Sequence, residues 1–267
     1  MTSSPAARSG QQTGPAPWTY RLVTSTIKGL IDILCRVDGA QLTQIPERGP
    51  LIIVANHVNF LEVPLIYTYL QPRPLTGFAK AETWDNPAKR VLADLWGAIP
   101  LQRGEADVDA LRRALAALDA GHILAIAPEG TRSGNGQLQR GHPGVVFLAQ
   151  RSRAPLLPLV YYGGERFWDN LGRLRRTDFH IRVGQPFHLH VDGAKMSREV
   201  RRRAADEVMY QLAALLPPAY RGVYADLSAA TETYLRFPPG SGSNLRRAAD
   251  DGLAQAALQT ALADGPD

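Results

Sequence analysis

The apolar residues of this 267-residue chain follow two patterns that alternate along it. Short continuous apolar runs predict buried strands, and apolar residues recurring every three or four positions predict helices. The predicted strands cover residues 51–55, 75–80, 98–101, 122–127, 156–161 and 178–183. The predicted helices cover residues 20–37, 63–70, 86–95, 107–118, 144–151 and 197–216. This alternation predicts an α/β fold with a mainly parallel central sheet flanked by helices.

The first predicted helix is amphipathic and fits two different surroundings. Its apolar stripe consists of Val23, Ile27, Leu30, Ile31, Leu34 and Val37, flanked by the basic residues Arg21, Lys28 and Arg36. Such a helix either lies in a membrane interface, with its basic residues at the headgroups, or packs on the protein core. The sequence leaves both alternatives open.

Composition shifts divide the chain into four predicted segments. Residues 1–17, rich in Ser, Gln, Ala, Pro and Gly, predict a disordered leader without the apolar core of a signal peptide. Residues 18–38 are the amphipathic helix, and residues 39–237 form the main domain. Residues 238–267 read as a Pro/Gly/Ser linker and an Ala-rich tail. No apolar run reaches the roughly eighteen residues that a spanning helix needs.

Charge and cysteine content exclude several classes of function. The net charge of +5 suits an anionic membrane surface or a phosphorylated substrate, and no nucleic-acid-binding motif is present. Cys35 is the only cysteine, so intrachain disulfides and Cys-based zinc sites are excluded. His188 and His190 would share a strand face without a third ligand nearby, and we therefore predict no metal site.

The first candidate for chemistry is a histidine that follows a predicted strand. His57 comes directly after the 51–55 run, and Glu62 begins the next helical segment. A carboxylate in the first turn of a helix is favoured by the helix dipole and the free N–H groups. From there it could hold one ring nitrogen of His57 and leave the other free to accept a proton. The spacing alone, however, is more typical of an ordinary polar loop than of a catalytic pair.

Two further stretches place polar groups after predicted strands. Residues 127–133 read A-P-E-G-T-R-S, which offers a hydroxyl, a guanidinium and free N–H groups to a phosphate. Lys80 and Arg103 each follow a predicted strand of their own. Because parallel strands end at one edge of a sheet, these cations would lie on the same side as His57 and would favour an anionic ligand.

Together these stretches resemble the motifs of the PlsC-like glycerolipid acyltransferase family, over residues 50–164. The first family motif, N-H-x-S-x-x-D, is occupied by residues 56–62, which read N-H-V-N-F-L-E. The second is matched by Lys80, Glu82, Pro87, Gly97, Ile99 and Arg103. The third, F-P-E-G-T-R-S, is matched by residues 128–133 with Ala127 in place of Phe, and the fourth, V-P-I-[IV]-P-V, by residues 154–159.

The resemblance implies roles for the matching residues. His57 would be the general base that takes a proton from an acceptor hydroxyl, and Glu62 would orient it. The remaining matching residues, which would bind the acceptor phosphate or the acyl donor, are Lys80, Arg103, Glu129, Gly130, Thr131 and Arg132. The resemblance further implies acyl-CoA or acyl carrier protein as co-substrate, no cofactor, a lysophospholipid acceptor, and a peripheral location on the cytoplasmic side of the membrane.

Two positions depart from the family pattern. Glu62 stands where the family usually has Asp, which lengthens the side chain by about one bond, roughly 1.5 Å. Asn59 replaces the usual Ser. The expected acceptor is 1-acylglycerol-3-phosphate. The alternatives are another lipid acceptor, such as an amino-acid lipid or a glycolipid, and a lipid-binding relative with impaired catalysis.

Overall fold

A computed structural model describes residues 17–102, 107–191 and 196–250. The strands with defined bounds are β1 (Cys35–Asp38), β2 (Leu51–Ala55), β3 (Leu75–Lys80), β4 (Ile99–Leu101), β5 (Ile123–Ile126), β6 (Leu156–Tyr162), β7 (Thr177–Val183), β8 (His188–Leu189) and β9 (Leu235–Arg236). The helices are α1 (Pro17–Leu34), α2 (Glu62–Tyr69), α3 (Pro87–Leu95), α4 (Val108–Asp119), α5 (Gly144–Ser152), α6 (Phe167–Gly172) and α7 (Arg198–Ala213).

Seven strands of the described chain form one sheet in the order β1-β7-β6-β2-β5-β3-β4. Every neighbouring pair is parallel except β6 and β7, which are antiparallel. The predicted α/β fold with a mainly parallel sheet is therefore confirmed. Strand β2 lies at the centre and is buried along its whole length, which explains its continuous apolar run.

Helices cover both faces of the sheet. Helices α4, α5 and α7 enclose one core, to which Ala114, Val146 and Val208 contribute fully buried side chains. Helices α1, α2 and α6 enclose the other. Such coverage is what a mainly parallel sheet of apolar strands requires, since neither face can be left to solvent.

The first helix ends earlier than the sequence predicts. Helix α1 stops at Leu34, and residues 35–38 form the edge strand β1, which pairs in parallel with β7. Within β1, Cys35 is buried and Arg36 is exposed, so this short segment follows a period of two. Val37 fits both periods, and for that reason the helical pattern appeared to continue through the strand.

Helix α1 carries apolar residues on two opposite faces. One face packs on α2 and the core through Ile27 and Ile31. The other face exposes Trp18, Leu22, Leu30 and Ile33. Packing on the core, one of the two alternatives, is therefore confirmed for the face with Ile27 and Ile31, and the membrane interface stays a prediction for the exposed face. Among the described residues, no helix combines the length and the apolar content needed to cross a bilayer.

The segment after the main domain is not a free linker, in contrast to our prediction for residues 238–244. Ser243 and Asn244 are buried, and the Asn244 side chain accepts from the amide of Gln185 at 2.7 Å and donates to Gln211 of α7 at 2.9 Å. This segment therefore belongs to the packed domain. Residues 1–16 of the predicted leader and 251–267 of the predicted tail lie outside the described residues.

Candidate active site

His57 and Glu62 are joined directly. The Nδ1 atom of His57 lies 3.0 Å from Oε2 of Glu62, and Glu62 is the first residue of α2. Both Glu62 oxygens also accept from the backbone amide of Asn59, at 2.9 and 3.1 Å. Because a carboxylate only accepts, Nδ1 carries the proton and Nε2 presents its lone pair. The His57 side chain is 22% exposed, whereas that of Glu62 is 5% exposed.

The extra methylene of Glu62 is accommodated at the start of α2. The sequence placed this carboxylate in the first turn of a helix, and it occupies the first helical position. The amide of Asn59 lies within reach of both carboxylate oxygens and fixes their direction. Asn59, the other departure from the family pattern, closes the same loop. Its side chain accepts from the amide of Leu61 at 2.8 Å and donates to the carbonyl of Gly164 at 2.6 Å.

Asn56, the residue before the histidine, locks the end of β2 to β6. Its side-chain amide donates to the carbonyl of Tyr161 and accepts from the amide of the same residue, both at 2.8 Å. The Asn56 side chain is buried. This two-way bond extends the β2–β6 pairing by one residue and fixes the point at which the chain turns toward His57. The sequence named Asn56 within a motif but did not indicate this function.

The loop after β5 is held against the His57 loop by a buried carboxylate. Glu129 accepts from the backbone amide of His57 through Oε1 and from that of Gln139 through Oε2, both at 2.9 Å. Two backbone bonds join the loops as well: the amide of Ser133 donates to the carbonyl of His57 at 2.8 Å, and that of Gly134 to the carbonyl of Val58 at 3.2 Å. The Glu129 side chain therefore positions His57.

The geometry does not support the predicted substrate-binding role of Glu129. Only 3% of the residue is exposed, and both of its carboxylate oxygens are engaged by backbone amides. Burial raises the pKa of this carboxyl above its ordinary value, and the hydrogen bonds from Gln139 and His57 oppose that shift. Burying this carboxylate costs free energy, and it does so at the point where its two hydrogen bonds join the loops.

The other predicted binding residues that the structure describes occupy one rim of the sheet. Strands β2, β5 and β3 are parallel neighbours in that order, with Val54 opposite Ile126 and Gly77 opposite Ala125. His57, the loop 128–133 and Lys80 consequently follow the carboxyl ends of adjacent strands. The predicted substrate-binding residues that are exposed there are Lys80, Gly130, Thr131 and Arg132. Arg103 lies outside the described residues.

Gly130 adopts a left-handed conformation and lies against a histidine that the sequence did not single out. Its φ is +66°, and a Cβ placed there would approach the His142 ring to 3.1 Å. The amide of His142 in turn donates to the carbonyl of Pro128 at 2.8 Å. The backbone at this turn therefore needs glycine for its conformation and for the close approach of the ring. The folding of the loop between β5 and α5 back on itself reveals His142 as a neighbour of the site.

This arrangement provides an acyl-transfer enzyme with its main elements. A histidine with one nitrogen held by a carboxylate can accept a proton at the other. Exposed cationic side chains at the ends of the next two strands, Arg132 after β5 and Lys80 at the end of β3, can bind an anionic group. Among the described residues, no cluster of three or more His, Cys, Asp or Glu side chains is arranged to hold a metal ion.

Comparison with known proteins finds a match to one family model. Residues 36–162, from β1 to the end of β6, match the family model described as Acyltransferase. This part of the chain is therefore similar to the acyltransferase family. The match includes the His57–Glu62 pair, Lys80 and the loop that contains Arg132.

Two curated relatives and one solved structure are similar to a larger part of the chain. The chain is 28% identical over 174 residues to the lyso-ornithine lipid O-acyltransferase of Pseudomonas aeruginosa, covering 58% of this chain and 66% of that protein. It is 23% identical over 193 residues to the 1-acyl-sn-glycerol-3-phosphate acyltransferase of Bacillus subtilis, covering 72% and 94% respectively. The crystal structure of PlsC, the 1-acyl-sn-glycerophosphate acyltransferase of Thermotoga maritima, superposes with a TM-score of 0.52 at 25% identity, covering 72% and 76%.

Proposed function

We propose that this protein transfers a fatty acyl group from an acyl thioester, acyl-CoA or acyl carrier protein, to the free hydroxyl of a lysophospholipid, with 1-acylglycerol-3-phosphate as acceptor. The observation that carries the proposal is the 3.0 Å contact between His57 Nδ1 and Glu62. That contact leaves Nε2 as a base, beside a rim that bears the exposed cations Lys80 and Arg132.

The reaction requires one proton transfer and one substitution at carbon. Nε2 of His57 takes the proton of the acceptor hydroxyl, and the oxygen attacks the carbonyl carbon of the thioester. The tetrahedral adduct collapses with loss of the C–S bond, and the protonated imidazole returns the proton to the sulfur. The products are an ester and a free thiol. Glu62 keeps the ring in the tautomer that can accept at Nε2 and stabilises the imidazolium as it forms.

The acceptor phosphate would be bound by Lys80, Arg132 and the loop backbone. Both side chains are exposed and follow strands β3 and β5, so an anionic headgroup at this rim would reach them. A guanidinium binds phosphate through paired N–H donors, which also orients the glycerol relative to the base. Arg103, which follows β4 in the sequence, is proposed to join them.

A second acceptor class is favoured by one comparison. The relative from Pseudomonas aeruginosa that shares 28% of its residues over the aligned region is named for lyso-ornithine lipid, an amino-acid lipid. Such an acceptor also offers a free hydroxyl to His57. Its headgroup carries a carboxylate and an amine where lysophosphatidic acid carries a phosphate. Lys80 and Arg132 would therefore bind a different charged group in each of the two acceptors.

We further propose that the protein works as a peripheral protein on the cytoplasmic side of the membrane, with α1 lying on the bilayer. The support is the exposed face of α1, where Trp18, Leu22, Leu30 and Ile33 meet solvent. A helix with one face on the protein and apolar side chains on the other can bury the latter in the interface. The lipid acceptor would then be reached without extraction into water.

The test is acyl transfer by the purified protein, with thiol release and product mass as readouts. Long-chain acyl-CoA and acyl carrier protein would be offered with lysophosphatidic acid, lyso-ornithine lipid and a lysoglycolipid. We expect a phosphatidic acid product from the first acceptor and loss of about 10²–10⁴-fold in rate for His57→Ala. The matched control is His122→Ala, at the amino end of β5. Undiminished transfer by folded His57→Ala protein would refute His57 as the base.

A further inference from the structure

A strained and exposed leucine ends helix α6. The amide of Leu174 donates to the carbonyl of Leu171 at 3.0 Å, and that of Arg175 donates to the carbonyl of Asn170 at 2.8 Å. This bond pair places Leu174 in the left-handed position where such helix ends usually have Gly or Asn. Its φ is +52°, and its side chain is 95% exposed. A leucine at this position costs stability and gains no packing within the chain, which points to a function outside it.

The loop that carries Leu174 is fixed to the end of α1. The Arg176 guanidinium donates to the backbone carbonyls of Asp32 at 2.5 Å and Cys35 at 2.6 Å, where α1 passes into β1. A cation in this place satisfies carbonyls that the helix leaves without partners. Leu174 therefore lies two residues from a side chain bound to the same end of α1 that exposes Ile33.

The same loop borders the active site. Ring centroids of Phe60, in the His57 loop, lie 5.6 Å from Phe167 and 5.4 Å from Trp168, both in α6. Trp168 is itself exposed. Strand β7 begins just after the loop and is antiparallel to β6, so it starts at the rim where β6 and β2 end. Leu174, the end of α1 and His57 thus share one side of the molecule.

A basic groove of about 860 Å³ opens between these elements. Its cationic lining residues are Arg36, Arg166, Arg175 and Arg176. Arg36 is paired with Asp178 at 3.3 Å. The acidic Glu165 on the groove wall accepts from the hydroxyl of Tyr220 at 2.7 Å.

Two of the four arginines have no internal counterion. Within the described part of the chain, neither Arg166 nor Arg175 forms an ion pair, and both are exposed. The Arg176 guanidinium is directed to backbone carbonyls and brings its charge into the groove as well. The groove therefore has spare positive charge beside an exposed leucine.

We infer that this groove and Leu174 form a second bilayer contact, in which Leu174 inserts among the acyl chains and Arg166 and Arg175 bind the phosphate of an anionic phospholipid. The inference rests on the bilayer docking of α1 proposed above and adds a specific headgroup site to it. Charge complementarity and continuity with the exposed face of α1 identify the occupant as an anionic membrane. The strain at Leu174 is then retained because the residue anchors the rim of the active site to lipid.

The experiment measures binding of the full chain to vesicles of phosphatidylcholine alone and of phosphatidylcholine with phosphatidylglycerol. Leu174→Asn removes the inserted side chain and supplies a residue that tolerates positive φ. We expect it to raise the melting temperature and lower partitioning onto both vesicles about tenfold. Val91→Gln is the matched control, because Val91 is an exposed apolar residue on α3.

The charge arm uses Arg166→Gln with Arg175→Gln. We expect partitioning onto vesicles with phosphatidylglycerol to fall about fivefold for each arginine removed, and binding to pure phosphatidylcholine to change little. The control with the same change in net charge is Arg201→Gln with Arg202→Gln on α7, which covers the opposite face of the sheet. This control should lose at most about twofold.

Three outcomes would overturn the inference. In the first, the Leu174 variant and the arginine variant bind vesicles as well as the wild type does, whereas Ile33→Ser, on α1, reduces vesicle binding. Another is loss of affinity for soluble glycerol 3-phosphate or CoA in the arginine variant with vesicle binding intact, which would make the groove a site for a soluble phosphate. The third is absence of anionic-vesicle binding by the wild type. Acyl transfer is measured separately. Wild-type protein that binds vesicles without transferring acyl groups would contradict only the proposed reaction and not the inferred membrane contact.

Discussion

The backbone amide of His57 donates to the buried carboxylate of Glu129 at 2.9 Å, across 72 residues of sequence. Through its second oxygen the same carboxylate holds the amide of Gln139. The loop that presents His57 and the loop that presents Arg132 are therefore one unit, built around a carboxylate that receives no salt-bridge partner from the described residues. The position of the imidazole depends on Glu129 as well as on Glu62.

Replacing Glu129 by Gln should lower kcat and leave KM nearly unchanged. The glutamine side chain has one accepting oxygen and one donating NH₂ group. The backbone amide of either His57 or Gln139 would therefore face the NH₂ group instead of an acceptor, and the loop would shift. A displacement near 1 Å costs on the order of 10²-fold in rate. Steady-state kinetics at several acceptor concentrations would measure it, with the exposed Glu47→Gln as control. A rise in KM alone would instead indicate that Glu129 touches substrate.

The raised pKa of Glu129 predicts a pH dependence of stability. Its ordinary pKa is 4.5, and burial raises the value in the folded state. The folded protein therefore binds more protons than the unfolded chain between those two pKa values, and the stability contributed by this group falls as pH rises through that window. The free energy of unfolding of wild type minus that of Glu129→Gln should decline there. A difference that is flat across this range would contradict the assignment.

Shortening Glu62 to the aspartate usual in the family should impair this protein. The carboxylate reaches His57 Nδ1 at 3.0 Å from the first position of α2, and an aspartate would withdraw by about one bond, roughly 1.5 Å. We expect a loss of about 10²-fold in kcat for Glu62→Asp. Glu62→Gln should lose at least as much, because its amide group can hold the ring in the wrong tautomer. Single-turnover rates would decide, and an active Glu62→Asp would show that the backbone adjusts.

Asn56 should be a stability residue. Asn56→Ala leaves the amide and the carbonyl of Tyr161 buried without side-chain partners, and each lost partner costs about 1–3 kcal/mol. We expect the free energy of unfolding to drop by roughly 3 kcal/mol in denaturant titration. The exposed Asn135→Ala should cost less than about 1 kcal/mol. Equal effects of the two substitutions would show that the β2–β6 junction does not depend on this bond.

Lys80 and Arg132 should distinguish acceptors. Replacing either by Gln removes a charged hydrogen-bond donor worth about 1.5–3 kcal/mol, so KM for lysophosphatidic acid should rise about tenfold to a hundredfold. An acceptor without phosphate should be affected much less. The exposed Arg113→Gln on α4 is the control. If both acceptors lose equally, these residues bind the acyl donor or shape the loop.

Elements of continuous apolar character were predictable from sequence, whereas short edge elements were not. The bounds of β2 agree with the prediction because a strand buried on both faces leaves an uninterrupted apolar run. The bounds of β3 agree as well, although its residues L-T-G-F-A-K are only partly buried. Strand β1 has four residues, and the adjoining helical stripe includes Val37, so the periodicity alone favoured helix. The two-residue strands β8 and β9 give no periodic signal.

In the candidate site, a contact between residues close in sequence was predictable, whereas a contact between distant residues was not. The contact of His57 with Glu62 was predictable, because His57 follows a strand end and Glu62, five positions later, lies in the first turn of the next helix. The contact of Glu129 with His57 joins a side chain to a backbone amide, and side-chain patterns in a sequence contain nothing about backbone amides. The resemblance drew attention to Glu129 but suggested a contact with substrate.

The reversal of β7 within an otherwise parallel sheet determines where α1 can end. Had β7 run with its neighbours, its start, and that of β1 beside it, would lie at the far margin, one strand length of about 20 Å away from the imidazole. The exposed apolar face of α1 and the imidazole of His57 would then point to opposite poles of the protein. One inverted strand thus brings that apolar face and the candidate site to the same margin of the α/β scaffold.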